Sequence, residues 1–209
     1  MDLNTEYLGL KLRSPLVSGA GPLVDDLSMV RRLDDAGAGA IVMHSLFEEQ
    51  IVGEQLATYS ATETPKEMYG EAQSYLPEPD EFHLGPDAYL EQVRKIKAAV
   101  SAPVIASLNG ETEGGWLKYA KLIADAGADA LELNIYDLPS DPSLDSASVE
   151  QRMVNLVAEV RQSLDIPVAV KLAPFYTALA NLAARLRDAG ADGLVLFNRL
   201  YQPDIDPEE

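Results

Sequence analysis

Seven polar side chains stand at or near the ends of short apolar segments of this chain. They are Ser18, His44, Ser45, Asn109, Asn134, Lys171 and Asn198. Lys171 differs from the rest because it lies inside its apolar segment, "IPVAVKLAP" at 166–174. An ammonium group in such a place is unfavourable unless it faces an anion or an electron-rich ring. The set therefore indicates a binding pocket for a ligand of that kind.

Three of the seven are asparagines, whose side-chain amide offers both donors and an acceptor on one planar group. Three amides at one pocket suit a planar heterocycle with alternating carbonyl and N–H groups. An isoalloxazine ring fits this description, and the reduced ring carries negative charge near N1 that a lysine would stabilise. A lone asparagine at a strand end is more often a turn residue, and a lone His44 more often an ordinary hydrogen-bonded histidine. Because the three asparagines stand at equivalent strand ends and Lys171 lies inside a strand, a shared binding site is the favoured interpretation.

The composition excludes several classes of function. Asp and Glu number 34 against 16 Lys and Arg, which gives a formal net charge of −18. Such a surface repels nucleic acid and anionic lipid, and no apolar run reaches the roughly 20 residues of a membrane span. Cysteine is absent, and His44 and His83 show no ligand spacing, so we expect no metal site. A cytoplasmic protein that acts on a small-molecule substrate is the expectation.

A repeated unit organises the chain. It reads "DDAGAGAIVMHS" at 34–45, "ADAGADALELNI" at 124–135 and "RDAGADGLVLFN" at 187–198. In each copy a helical pattern ends at a glycine, where a helix C-cap favours a left-handed residue. A short apolar segment with little alternation follows, as expected of parallel strands that are buried on both faces.

The same rhythm predicts six strands in all. Their predicted ranges are 15–20, 40–46, 103–109, 130–135, 167–173 and 193–198. Helical patterns cover 27–37, 86–101, 116–127, 147–165 and 178–190, and a small hairpin is expected within 5–14. Strands that alternate with helices at this spacing indicate a parallel sheet with right-handed crossovers.

Two sheet architectures compete for this pattern, a doubly wound open sheet and a TIM (β/α)8-type barrel. The turn "SGAGPLVDD" at 18–26 lacks the G-x-G-x-x-G spacing of a dinucleotide-binding domain. Polar residues at the carboxyl ends of the strands are typical of barrel active sites. We therefore predict an α/β barrel with about six of its eight βα units, as one domain over 1–209. A long insertion at 48–85, after strand two, is predicted to be either a lid or a partner surface.

Four segments resemble the dihydroorotate dehydrogenase family of FMN-containing barrels. They are "LGLKLRSPLVSGAGP", "VIASLNGETEGGWLKYAKLIADAGADALELNIY", "IPVAVKLAP" and "GLVLFN". The resemblance runs from about residue 5 to about residue 200. It implies an FMN-dependent dehydrogenase that acts on CH–CH groups and, in pyrimidine biosynthesis, converts dihydroorotate to orotate.

The resemblance also implies roles for the polar residues. The backbone of Ser18, Gly19 and Ala20 would lie against the flavin ring, and Lys171 would stabilise the reduced ring. Asn109 and Asn134 would hydrogen-bond flavin or substrate, and Asn198 would bind the polar edge of the substrate. His44 and Ser45 occupy the place of a Lys-Ser or Lys-Thr pair in the family and are assigned to cofactor binding.

The loop after strand four departs from the family. Family members follow the asparagine with Ser, then a Cys or Ser base, then Pro-Asn, whereas this chain has "NIYDLPSDPS" from Asn134. Asp137 stands where the base would fall, and Ser140 is the second candidate. Asp137 as a cap of the turn before Pro139 is an equally open interpretation, so the substrate stays open too.

The length of the chain adds further expectations. A complete barrel usually takes about 250 residues, and "QPDIDPEE" at 202–209 offers no seventh strand. We expect the front part of a longer protein, with weak FMN retention because flavin barrels hold the phosphate near strands seven and eight. An open sheet would leave two unpaired edges, which favours association, and a homodimer is one form of it.

Two other functions are open at this stage. A barrel lyase or aldolase would use Lys171 as a Schiff-base nucleophile, and borohydride trapping would reveal it. A non-catalytic barrel that serves as an interaction module would show neither trapping nor a flavin band near 450 nm.

Overall fold

A computed structural model describes residues 2–49, 51, 86–110, 112–136, 139 and 141–198. Its strands are β1 (Thr5–Tyr7), β2 (Leu10–Leu12), β3 (Val17–Ser18), β4 (Ala40–Phe47), β5 (Val104–Asn109), β6 (Ala130–Asn134), β7 (Val168–Leu172) and β8 (Gly193–Leu196). Its helices are α1 (Leu27–Asp35), α2 (Asp87–Ala99), α3 (Glu113–Asp125), α4 (Ser146–Gln162) and α5 (Leu179–Asp188), with a 3-10 turn at Pro22–Val24. None of the helices that the structure describes is long and apolar enough to cross a membrane.

The main sheet has six parallel strands in the order β3-β4-β5-β6-β7-β8, which is also their order along the chain. Right-handed crossovers between strands in this order place every connecting helix on the same face of the sheet. A doubly wound sheet instead reverses its strand order and carries helices on both faces. The predicted (β/α)8-type barrel is therefore confirmed, with six consecutive barrel strands described.

The two faces of the sheet have separate cores. The helix-facing side chains join those of the helices in one large cluster, which includes Ile41, Leu108, Leu131, Val170, Val30, Ile96, Ile123, Val157 and Leu186. The inner face forms a smaller cluster of Ala40, Val42, Ile105, Ala130 and Ala169, closed by Leu8 and Leu12. Side chains alternate between faces along a strand, so every second residue of β5, β6 and β7 points to the interior.

The small hairpin closes the amino-terminal end of that interior. Its strands pair antiparallel from Thr5↔Leu12 to Tyr7↔Leu10, as the sequence predicts. Leu8 and Gly9 form the turn at φ 56° and 73°. Two positive φ values in a two-residue turn match the twist of a hairpin, and this turn buries Leu8 to 7% exposure.

The repeated unit has a structural explanation at the amino-terminal end of the sheet. In the second copy, Asp129 accepts a hydrogen bond from the Val104 amide at 2.7 Å and donates its own N–H to the Val104 carbonyl at 2.8 Å. In the third copy, Asp192 makes the same two bonds to Val168, at 2.9 and 2.8 Å. The aspartate thus ties the start of one strand to the neighbouring strand.

The first copy lacks this aspartate because another residue occupies the space. Gly39 stands in its place, and a Cβ added there would lie 2.0 Å from the Ser14 carbonyl oxygen. Ser14 supplies a polar contact instead, since its hydroxyl donates to the Gly37 carbonyl at 2.8 Å. The backbone of Ser14, which lies against Gly39, therefore explains why the first copy reads "GAGA" and the second reads "GADA".

Helix boundaries follow the expected capping chemistry. Asp26, Thr112 and Asp145 accept hydrogen bonds from backbone N–H groups in the first turns of α1, α3 and α4. Gly37, Gly127 and Gly190, which follow α1, α3 and α5, adopt φ of 93°, 94° and 105°. The predicted left-handed glycine after each repeated helix is confirmed.

Four of the six predicted strands agree with their predicted ranges to within one residue at each end, and the first and the last differ more. The first is paired only at Val17–Ser18, within the predicted 15–20, and the last ends at Leu196 rather than 198. In β4 the pairing with β5 shifts between Val42 and Ser45. This irregularity adds a residue to one strand of the pair, so it changes which side chains face the interior.

Candidate functional site

A buried ion pair lies on the inner face of the sheet. Lys171 of β7 donates from Nζ to Oε1 of Glu132 on the adjacent strand β6, at 3.1 Å. Their side chains are 13% and 6% exposed. Alternation places Lys171 on the same face as Ala169, and Glu132 on the same face as Ala130, two residues that belong to the interior cluster. Lys171 therefore points into the barrel and away from the helix layer.

Glu132 is the partner that the sequence analysis missed. It lies in the second copy of the repeat, two residues before Asn134 and inside an apolar strand. A charged residue there is as unfavourable as Lys171 in its own strand, and this was the available signal. The missing information was the register, which pairs Glu132 with Ala169 and Asn134 with Lys171.

A cavity of about 500 Å³ opens beside this pair. The described residues that line it are Thr5, Glu6, Tyr7, Leu12, Pro15, Val17, Ser18, Gly19, Ala20, Val42, Ile105, Glu132, Lys171, Leu194, Val195 and Leu196. The structure thus brings the predicted ring-contacting segment Ser18–Ala20 to the same cavity as Lys171. Burial, and then the charge of Glu132, raise the pKa of the Tyr7 phenol, which keeps this wall of the cavity neutral.

The hydroxyl of Ser18 is already used by the fold. It accepts a hydrogen bond from the Val42 amide at 3.0 Å and so ties β3 to β4. Gly19 and Ala20 follow β3 at its carboxyl end, without a bulky side chain between their backbone and the cavity. This segment therefore offers backbone rather than side-chain contacts to a ligand.

Asn134 carries an unsatisfied buried group. The residue is 6% exposed, and its Oδ1 atom accepts no hydrogen bond from any residue that the structure describes. Leaving a buried acceptor without a donor costs about 1–3 kcal/mol, so such an atom calls for a ligand donor. It ends β6 directly opposite Lys171 in the register, on the face that Glu132 shares.

Asn109 and Asn198 occupy other positions. Asn109 ends β5 and lines a second cavity of about 570 Å³, together with Trp116 of α3 and Tyr136. Asn198 lies beyond β8 and donates its backbone N–H to the Leu172 carbonyl at 2.9 Å. Neither is among the described residues that line the cavity beside Lys171. The three asparagines thus stand along the carboxyl ends of β5, β6 and β8 without sharing one cavity.

His44 and Ser45 are separated by the irregularity in β4. The hydroxyl of Ser45 lies 2.8 Å from that of Ser107 on the interior face. His44 instead contacts the helix side, where its ring packs edge-on against Tyr89 of α2 with centroids 5.2 Å apart. Its Nδ1 lies 2.9 Å from Oδ1 of Asp25, without the geometry of a hydrogen bond. This placement gives no support to a cofactor contact by His44.

Tyr89 connects this region to the sheet. Its hydroxyl donates to the Ser107 carbonyl at 3.1 Å and accepts from the Ser107 amide at 3.0 Å. Burial raises the pKa of Tyr89 far above the ordinary value, so the phenol stays protonated and its role is structural.

The two candidate bases lie outside the described residues. Asp137 and Ser140 fall in the gaps on either side of Pro139, and the insertion at 48–85 is described only at Glu48, Glu49 and Ile51. Where the structure does describe the chain, no three His, Asp or Glu side chains group in a way that would hold a metal ion.

Sequence comparison identifies the relatives of this chain. A family model of dihydroorotate dehydrogenase matches residues 2–202. The catalytic subunit of dihydroorotate dehydrogenase B (NAD(+)) from Geotalea uraniireducens is 31% identical over 214 residues, covering 98% of this chain and 65% of that protein. The subunit of the same name from Methanocaldococcus jannaschii is 27% identical over 210 residues, covering 98% and 65%. The chain spans just under two thirds of the length of these relatives.

Solved structures support the fold alone. An IMP dehydrogenase/GMP reductase-like protein from Corynebacterium glutamicum superposes with a TM-score of 0.54 at 15% identity, over 92% of this chain and 47% of that one. A phosphoenolpyruvate phosphomutase from Streptomyces platensis gives 0.54 at 21% identity, over 88% and 55%. The family match, the six consecutive barrel strands and the interior lysine agree, and the chain belongs to the dihydroorotate dehydrogenase family.

Proposed function

We propose that this protein is an FMN-dependent oxidoreductase that acts on a CH–CH bond of a small ring substrate related to dihydroorotate. The observation that carries the proposal is the interior position of Lys171, whose ammonium lines a cavity with the Ser18–Ala20 segment. A cation buried to this degree on an apolar strand is expected to meet an electron-rich ligand. The family of the chain makes a flavin the first candidate.

The residues at this site fit an isoalloxazine ring. Lys171 donates one hydrogen bond among the described residues, to Glu132, and so keeps two N–H groups for a ligand. Asn134 does not line this cavity, and its Oδ1, which lacks a donor among the described residues, is assigned to flavin or substrate on the family resemblance. Gly19 and Ala20 offer backbone that a flat ring can approach closely. When bound, FMN would supply the acceptor for a hydride from the substrate.

Substrate recognition and proton removal are assigned to other residues of this chain. We assign the base to Asp137 first and Ser140 second, because both follow β6 on the loop beside Asn134. A base there must come within hydrogen-bond reach of the proton that it removes. Asn134 and Asn198 would bind polar edges of the substrate, and Asn109 and Ser45 stay predictions for the cofactor site. NAD(+), named in the relatives, is the first electron acceptor to test.

An FMN titration tests the proposal. Purified protein is titrated with FMN while the absorption band near 450 nm and flavin fluorescence are followed, and Lys171→Met is compared in parallel. We expect saturable binding to the wild type and at least tenfold weaker binding to the variant, because the variant removes the two free donors. Binding of equal strength to both proteins would contradict the assignment of Lys171.

The lyase alternative has less support from the structure. A Schiff-base nucleophile must be a neutral amine with free access to a carbonyl carbon. Lys171 is engaged with a carboxylate at 3.1 Å and is 13% exposed. Borohydride treatment in the presence of carbonyl compounds is expected to leave Lys171 unmodified by mass spectrometry. The homodimer and the cytoplasmic location stay predictions from the sequence.

A further inference from the structure

We infer that Glu132 is a positioning residue for Lys171, and that its negative charge lowers the midpoint potential of FMN bound beside Lys171. The inference rests on the proposed FMN function. It concerns a carboxylate that neither the motif nor the polar strand ends revealed, and that lines the same cavity as Lys171.

The hydrogen bonds of Glu132 differ from those of a structural carboxylate. Among the described residues its side chain accepts one hydrogen bond, from Lys171, and no backbone N–H donates to it. Asp129 and Asp192 each accept a backbone N–H that ties two strands together. Among the described residues the side chain of Glu132 therefore makes no hydrogen bond that pairs strands, and its one hydrogen bond is with the cation at the cavity.

This single contact defines the place of the ammonium group. A lysine side chain has four rotatable bonds, and an unpaired ammonium in an open cavity would adopt several positions. The bond from Nζ to Oε1 holds the group at the wall formed by β6 and β7, on the sheet face that Asn134 shares. The two N–H groups of Lys171 that donate to no other described residue are then available to a ligand in the cavity.

The charge of Glu132 has a separate effect. Together the carboxylate and the ammonium carry no net charge, whereas Lys171 alone would present a full positive charge to the cavity. An added electron pair on a bound ring is stabilised by positive charge, and in a site of low exposure this attraction is weakly screened. Removing the carboxylate charge is therefore expected to favour the reduced cofactor.

The midpoint potential of the bound FMN tests the charge effect. For Glu132→Gln we expect the equilibrium to shift on the order of tenfold toward the reduced form, or about 30 mV more positive for a two-electron couple. Asp129→Asn is the matched control, because it removes the carboxylate of another lysine pair that lies outside the cavity. We expect no shift in the control. A Glu132→Gln protein that binds FMN with the wild-type potential would overturn the inference.

The positioning effect can be tested without flavin. In the ligand-free protein, NMR spectra of 13C-labelled lysine report the two Cε protons of Lys171, assigned with the Lys171→Arg variant. A held side chain gives two separate signals, and we expect them to merge in Glu132→Gln. Should that variant fail to fold, Glu132→Asp is the alternative. It keeps the charge but has a shorter side chain that moves the carboxylate away from Lys171, so the two Cε proton signals are again expected to merge. Separate signals in the folded variant would overturn the inference, whereas a failure of the wild type to bind FMN would contradict only the proposed function.

Discussion

Carboxylate–cation pairs at the amino-terminal end of the sheet differ from the pair in its interior. The pair of Lys97 and Asp129 has an N–O distance of 2.7 Å with side chains 32% and 28% exposed, and Asp129 also accepts the Val104 amide. The pair of Lys171 and Glu132 is longer, at 3.1 Å, and is 13% and 6% exposed. The first pair is more exposed and bonded to backbone, whereas the second is less exposed and makes no bond to backbone among the described residues.

This difference separates structure from function within one sheet. Partly exposed pairs of the first kind contribute only modestly to stability, typically up to about 1 kcal/mol. A buried pair does not repay its desolvation unless its remaining donors and acceptors are satisfied. Within the described part of the chain, Lys171 and Asn134 leave such groups unsatisfied, which is the expected state of a site that awaits a ligand. The same pair chemistry thus stabilises the barrel at one end and, in the function proposed above, forms part of a binding site inside it.

The largest effect is expected from breaking the interior pair. Glu132→Ala should lower the free energy of unfolding by about 3–5 kcal/mol, because it leaves Lys171 buried without a counter-charge. Urea denaturation monitored by circular dichroism measures this loss. The double variant Glu132→Leu/Lys171→Met should recover most of it, since apolar residues of similar size remove both charges. If Glu132→Ala lowers the free energy of unfolding by less than about 1 kcal/mol, the interior pair contributes no more than a partly exposed ion pair, and this prediction is wrong.

A smaller effect is expected at the carboxylate that joins α1 to the segment before β5. Asp34 accepts the amides of Ser101 and Ala102 at 3.0 and 3.1 Å and pairs with Arg13. Asp34→Ala should lower the free energy of unfolding by about 2 kcal/mol at neutral pH, because these amides lose a charged acceptor. Urea denaturation measures it, with exposed Asp35→Ala as the control. Equal free energies of unfolding for Asp34→Ala and Asp35→Ala would show that the hydrogen bonds from Ser101 and Ala102 do not stabilise the protein.

The contribution of Asp34 should also depend on pH. Burial raises the pKa of this carboxyl, but the amides of Ser101 and Ala102, with Arg13, outweigh it and hold the pKa below its ordinary value. A lowered pKa means that the stabilisation is present above the unfolded-state value of about 4 and is lost as pH falls through the folded-state pKa. The wild type and Asp34→Ala should therefore converge in stability below about pH 4. A constant difference down to pH 2 would contradict this.

The smallest effect is expected at the repeated aspartate. Asp129→Asn keeps an oxygen that can accept the Val104 amide but removes the charge that pairs with Lys97. A loss of about 1 kcal/mol is expected, and Asp192→Asn should behave alike because Arg161 takes the place of the lysine. Addition of 0.5 M salt should reduce the stability loss of Asp129→Asn and Asp192→Asn. The stability loss of Glu132→Ala should change less, because the interior pair is less exposed.

The sequence predicted much of this architecture because its signals are local. The three helix-ending glycines, the apolar strands without alternation and the hairpin were all found in their expected places. Lys171 stood out by the same local logic, since a charged residue in an apolar strand needs a partner. Each of these signals depends on residues within a few positions of one another.

The site was less predictable because it depends on contacts between strands. The irregularity between Val42 and Ser45 turns His44 toward Asp25 and Tyr89, although the sequence placed it beside Ser45 at the pocket. Asn109 and Asn134 follow equivalent strands, yet only the first lines the second cavity. Periodicity cannot predict such a shift, since one added residue moves every later side chain to the other face.

By itself the sequence determined the order of strands and helices, the ends of the repeated helices and the presence of a lysine that must face an anion or an electron-rich ring. The tertiary structure alone decided that the lysine pairs with Glu132 and that the Asn134 oxygen at the end of the same strand finds no donor among the described residues. The physical reason is that local conformation follows from neighbours along the chain. A buried pair instead depends on the register of two strands whose partners lie 39 positions apart.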